Sequence, residues 1–166
     1  MPPDTSGPAA APVSGAELHY RALEQLYASA PVNRLFESRL EILGEGRSRI
    51  TFEVDERSYH AAGAAHGTIY FKMLDDAAFY AANTRTTDRF LLTTSFNLHF
   101  TKPVRTGQVV AEGRWISGKR RVFVAEARLV DAEGDEIGRG TGTFMRSRIP
   151  LAGLPGYAPA PAGSGN

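Results

Sequence analysis

The run AAHGTIYFKMLDDAAFYAANT places Asp75 nine residues after His66 and eight after Gly67. A carboxylate on an otherwise apolar stretch is expensive to bury, so it has either a partner or a task. Asp75, or its neighbour Asp76, is therefore the first candidate for chemistry. The competing reading is that both acids are solvated or pair with Lys72 or Arg85 at helical spacing. If Gly67 opens a helix, its N–H and that of Thr68 are among the unpaired donors at a positive helix end, suited to a carbonyl oxygen that gains negative charge. At 1.5 Å rise per residue Asp75 lies about 12 Å further along, so one helix cannot bring both groups to one carbonyl. Two such helices packed antiparallel could, and the spacing predicts a two-fold dimer with composite sites.

Other chemistries lack their residues. There is no cysteine, which removes disulfides, thiolate zinc and a cysteine nucleophile. His60 and His99 stand at no metal-ligand spacing to an acid and no HxxxH pair occurs, so no metal is expected. G-x-S-x-G, Walker and G-x-G-x-x-G motifs are absent. His66, alone before a glycine, reads as a capping or core hydrogen-bonding residue. Arg105, Lys119, Arg120 and Arg121 sit at turns, either as a solvated edge or as phosphate contacts.

Several elements must position these groups. Ala16 to Ser29 carries Leu18, Ala22, Leu23 and Leu26 at helical spacing, with Pro31 as a stop. Phe36 to Leu43 and Ser48 to Val54 alternate as a hairpin around Gly44 and Gly46. The seventeen residues from Gly67 to Asn83 are apolar and free of proline, predicting a helix buried over much of its circumference. Four strands follow, Leu92 to Thr101, Gln108 to Ile116, Val122 to Asp131 and Glu136 to Ser147. In the first, Thr94, Phe96, Leu98 and Phe100 are expected on one face, with Thr93, Ser95, Asn97 and His99 on the other. Gly138, Gly140 and Gly142 strip one face of the last strand, and the central helix is the expected occupant.

At 166 residues, 42% hydrophobic and 22% charged, the chain fits a single domain. Its ends, 1–15 and 152–166, are rich in Pro, Ala, Gly and Ser and read as flexible tails around a domain at 16–151. A formal charge of +1 without a basic block argues against nucleic acid. No signal sequence or run of eighteen apolar residues is present, so the expectation is a cytoplasmic protein without a membrane span.

Taken in order, His66-Gly67-Thr68, Asp75, Asn97-Leu98-His99-Phe100 before Lys102-Pro103-Val104, Gly118-Lys119-Arg120-Arg121, Gly134 and Gly140-Thr141-Gly142-Thr143-Phe144 resemble the PaaI-like acyl-CoA thioesterases of the hotdog fold, over about residues 35 to 147. The resemblance implies an α+β architecture, an antiparallel sheet wrapped around a long central helix, assembled as a homodimer or as a homotetramer that is a dimer of dimers. It implies that Asp75 rather than Asp76 is general base or nucleophile on an acyl-CoA thioester, that the Gly67 amide polarises the carbonyl, and that Thr93 positions water. His66 and Thr68 fall at the substrate entrance, and Arg105, Lys119, Arg120 and Arg121 become candidates for the CoA phosphates. The family's His-Gly-Gly is His-Gly-Thr here, and His60 stands where many members carry an asparagine that assists at the carbonyl; a histidine can donate one such hydrogen bond. The expected function is thioester hydrolysis without a cofactor. The alternative is a hotdog module that binds acyl-CoA without turnover.

Overall fold

The computed structural model describes residues 13–158. Helix α1 (Gly15–Ser29) is started by Ser14, whose hydroxyl accepts from the Glu17 N–H, and a single turn, α2 (Asn33–Phe36), follows. Strand β1 (Arg39–Gly44) turns through Gly46 into β2 (Arg47–Val54). After a loop comes α3 (Gly67–Asn83), then β3 (Arg89–Phe100), β4 (Gly107–Ser117), β5 (Val122–Val130) and β6 (Glu136–Pro150). The six strands form one antiparallel sheet in the order β1-β2-β4-β5-β6-β3. The sheet curls around α3, giving the expected α+β arrangement.

Helix α3 keeps the bounds read from its apolar run, and Met73, Leu74, Ala77, Ala78, Ala81 and Ala82 are completely buried. Alanines let it lie close on the sheet. At Gly113 of β4 a Cβ would come within 2.0 Å of the Ala77 carbonyl oxygen, and buried Ser48 donates to that same oxygen at 2.6 Å. Only a glycine permits this approach.

Four sequence expectations change. Phe36, read as the start of a strand, ends α2; Glu37 then takes a left-handed conformation (φ 51°) and breaks the helix before β1. The glycine stripe of β6 is shared. Gly138 faces Tyr70 and Leu74 of α3, but the ring of Phe96 covers Gly140 and Gly142, where a Cβ would come within 2.4 and 2.5 Å of it. Phe96 in turn meets Phe71 of α3 edge-on.

The alternation of β3 is also interrupted. Thr93 pairs with Phe144 and Ser95 with Thr143, so Thr94 is an extra residue, a β-bulge. Thr94 lies on the outer face, where its hydroxyl meets that of Thr143 at 2.9 Å. Thr93 therefore shares the concave face with Phe96 instead of opposing it, as bulges re-aim side chains.

Of the C-terminal segment read as a tail, residues 152–158 are described. Leu151 is buried, and the Tyr157 hydroxyl meets His19 Nδ1 of α1 at 2.7 Å. The expectation of flexible ends otherwise falls on residues 1–12 and 159–166, outside the described residues.

Candidate active site

Asp75 and Asp76 are adjacent on α3 but differently engaged. Asp76 is in an ion pair with Lys72 one turn earlier, and the Tyr27 hydroxyl also faces it. Asp75 has no cation of its own. It accepts from Thr93 Oγ1, at 3.1 Å to Oδ1 and 3.4 Å to Oδ2. Burial, and next the charge of Asp76, push Asp75 up to about 6, against the opposing pull of Thr93 and Lys72. Such a carboxylate is ionised at neutral pH and basic enough to accept a proton.

Asp75 and Thr93 line a cavity of about 280 Å³ whose other walls include Tyr27, Val32, Phe79, Tyr80 and Phe90. Apolar and aromatic groups dominate there, which favours an apolar ligand.

The helix start is a separate place. His66 caps α3, its Nδ1 accepting from both the Thr68 N–H and the Thr68 hydroxyl at 3.1 Å. The expectation that Thr68 offers a free amide is thereby corrected, because the cap occupies it. Among the described residues no acceptor meets the Gly67 N–H, so one amide is left at the positive helix end. A Cβ on Gly67 would stand 3.3 Å from the Phe100 ring, which packs edge-on against Tyr70.

His60 lines the same cavity as Gly67, together with Tyr70, Phe100 and Lys102. Its backbone closes a turn, with His60 N–H donating to Ala64 and Gly63 N–H to His60. The Ala62 N–H donates to His60 Nδ1 at 3.0 Å, which leaves the proton of a neutral ring on Nε2 as an available donor. His66 and Thr68 border a third cavity with Phe36, Phe52 and Tyr59.

The structure thus joins Asp75 to Thr93 and Gly67 to His60, and keeps the two pairs apart within one chain. Arg105 precedes β4 and Lys119, Arg120 and Arg121 follow it, all exposed. An eleven-residue strand separates them by about 35 Å, so one chain cannot direct both clusters to one ligand. Lys102, near Gly67, is already paired with Asp131 at 2.7 Å and Asp135 at 2.8 Å. Among the described residues no three ligating side chains are grouped for a metal ion, and no helix is long and apolar enough to cross a membrane. Sequence reasoning missed Asn33 and Tyr27 as the anchors of Lys72 beside the acid, since they lie 39 and 45 residues from Lys72 and leave no local pattern.

The thioesterase superfamily profile matches residues 62–137, which contain Gly67, Asp75 and Thr93. The Saccharolobus solfataricus protein named "Putative esterase SSO1253" is 29% identical over 105 residues, covering 63% of this chain and 70% of its own length. The PaaI protein of the Escherichia coli phenylacetic acid degradation operon superposes with a TM-score of 0.75 at 15% identity, covering 82% of this chain and 99% of that one. A Haemophilus influenzae thioesterase does so with a TM-score of 0.68 at 20% identity, covering 74% of this chain and 86% of its own. An antiparallel sheet closed around one long helix is the hotdog fold of these solved structures, and the stretch that resembles the thioesterase superfamily takes in that helix and strands β3 to β5.

Proposed function

We propose that the protein hydrolyses an acyl-CoA thioester to the free acid and CoA, with Asp75 as general base. The observation that carries this reading is the contrast between the two acids: Asp76 is ion-paired with Lys72, whereas Asp75, in the same largely apolar cavity, has the Thr93 hydroxyl as its hydrogen-bond partner. Water held at Thr93 loses a proton to Asp75 as its oxygen attacks the thioester carbonyl. The oxyanion is met by the Gly67 N–H and by His60 Nε2–H, and collapse of the tetrahedral species breaks the C–S bond and releases CoA thiolate.

The two halves of this site belong to different subunits in the proposed assembly. Asp75 and Gly67 are about 12 Å apart on one straight helix and open into different cavities. Strand β3 is a twelve-residue sheet edge, and Leu92 and Phe100 on it and Phe71 beside it are 46%, 56% and 42% exposed. A long unpaired edge with exposed apolar side chains is a template for another strand, and a second copy pairing there brings the Gly67 of one protomer toward the Asp75 of the other. CoA phosphates then fall to Arg105 or to the Lys119–Arg121 turn. This assembly is a homodimer, or a homotetramer built from two of them.

A thiol-release assay over short, medium, long and aryl acyl-CoAs, with Asp75→Asn as control, tests the proposal. The chain has no cysteine, so released thiol comes only from CoA. Turnover abolished by Asp75→Asn supports hydrolysis; binding without cleavage across the series supports the non-catalytic module instead.

A further inference from the structure

The Lys72–Asp76 pair has no part in the steps above, yet it is built into the same cavity. Their side chains are only 13% and 21% exposed. Partly burying two charges costs desolvation energy that a surface pair would avoid. The ammonium is nevertheless held from several directions. Lys72 Nζ donates to Asn33 Oδ1 at 2.6 Å and lies 5.3 Å from the ring centres of both Tyr27 and Phe36. Asn33 is fixed in turn by donating to the Tyr27 carbonyl at 2.6 Å, and the Tyr27 hydroxyl meets Ser38 Oγ at 2.5 Å.

The groups facing the two acids form a short set. From α1 there is the Tyr27 hydroxyl, from α2 Asn33, from α3 Lys72 and Tyr80, and from β3 Thr93; the remaining lining side chains are apolar, and Lys72, Asp75 and Asp76 are the only charged ones among them. We propose that Lys72 and Asp76 are a positioning pair for Asp75: Asn33 and two aromatic rings hold Lys72, Lys72 holds Asp76, and Asp75 is left with Thr93 as the cavity's unneutralised carboxylate. This rests on reading Asp75 as the base of thioester hydrolysis. The two members act on Asp75 with opposite signs, because the Asp76 anion disfavours a second negative charge beside it and the Lys72 cation favours one.

Opposite signs separate this role from a structural one. The acid limb of the kcat/KM profile is measured for the wild type, Asp76→Asn, Lys72→Met, Lys72→Arg and the double variant, alongside thermal unfolding. Asp76→Asn moves the midpoint down and Lys72→Met moves it up, each by about half to one pH. The double variant falls between them and Lys72→Arg stays near the wild type. Should Lys72→Met fail to fold, the downward shift in Asp76→Asn alone carries the test. Unmoved midpoints, or shifts of the same sign, overturn the proposal while leaving hydrolysis by Asp75 intact. Full activity in Asp75→Asn overturns both.

Discussion

Thr93 Oγ1 stands 3.1 Å from Asp75 Oδ1 because the bulge at Thr94 turns Thr93 onto the concave face of the sheet. Regular pairing would have pointed Thr93 away from α3. One inserted residue thus gives the acid its hydroxyl partner on an edge strand of the sheet.

Thr93→Val keeps the shape and removes the donor. A hydrogen bond to a charged group contributes about 1.5–3 kcal/mol, so kcat/KM falls about ten- to hundredfold with a small change in melting temperature. Since Thr93 pulls Asp75 down, the acid limb of the profile also moves up in pH. Thr93→Ser retains most of the activity in the same assay.

Asp75 itself predicts opposite responses in activity and stability. With its carboxyl raised to about 6, kcat/KM rises with pH through a midpoint near that value. The folded state binds this proton more tightly than the unfolded chain does. Stability from this group is therefore full below the ordinary carboxylate range and is lost as pH rises through about 6. Asp75→Asn removes that loss: it is inactive, yet about 1–2 kcal/mol more stable to urea at pH 7.5. The gain shrinks toward zero as the pH is lowered to the ordinary carboxylate range.

Gly67 is the first residue of α3, and His66 before it is extended (φ −67°, ψ 149°). Proline is tolerated at that position and after that conformation. Gly67→Pro deletes the amide donor and Gly67→Ala adds the same Cβ against Phe100 while keeping the donor. A loss of about 100- to 1000-fold in kcat for Gly67→Pro, with a far smaller loss for Gly67→Ala, assigns the effect to the N–H.

Gly113→Ala tests the seat of α3 on the sheet. Its Cβ would collide with the Ala77 carbonyl oxygen at 2.0 Å, and backbone rather than a flexible side chain must yield. A loss of about 3 kcal/mol in chemical denaturation is expected, with the folded fraction retaining its substrate profile.

The sequence was most legible where one element's own pattern sufficed. The proline-free apolar run from Gly67 to Asn83 became α3 with those bounds, and the turn glycines marked the β1–β2 hairpin. It was least legible where residues far apart decide a local detail. Strict alternation puts Thr94 on the face of Phe96, and because Thr93 and Thr94 are identical in type nothing local marks the bulge that puts Thr93 there instead; pairing with Phe144 and Thr143 of β6 decides it. The glycines of β6 signalled a close approach, but the ring that fills it is Phe96 of β3. Asp75 and Asp76 could not be told apart by composition, since Asn33 and Tyr27, which anchor Lys72, come from the N-terminal helices. The amide of Thr68 looked free from helix geometry alone and is taken by the adjacent His66.

The division of the site between subunits is tested most directly by mixing two inactive variants, Asp75→Asn and Gly67→Pro. Unfolded together and refolded, they form mixed dimers in which one site combines the intact Asp75 of one chain with the intact Gly67 of the other. Random pairing then restores roughly one quarter of wild-type turnover, although neither variant alone is active. Mixed dimers that form, as seen by mass spectrometry of differently tagged chains, and yet remain inactive would contradict a site shared across the two-fold axis.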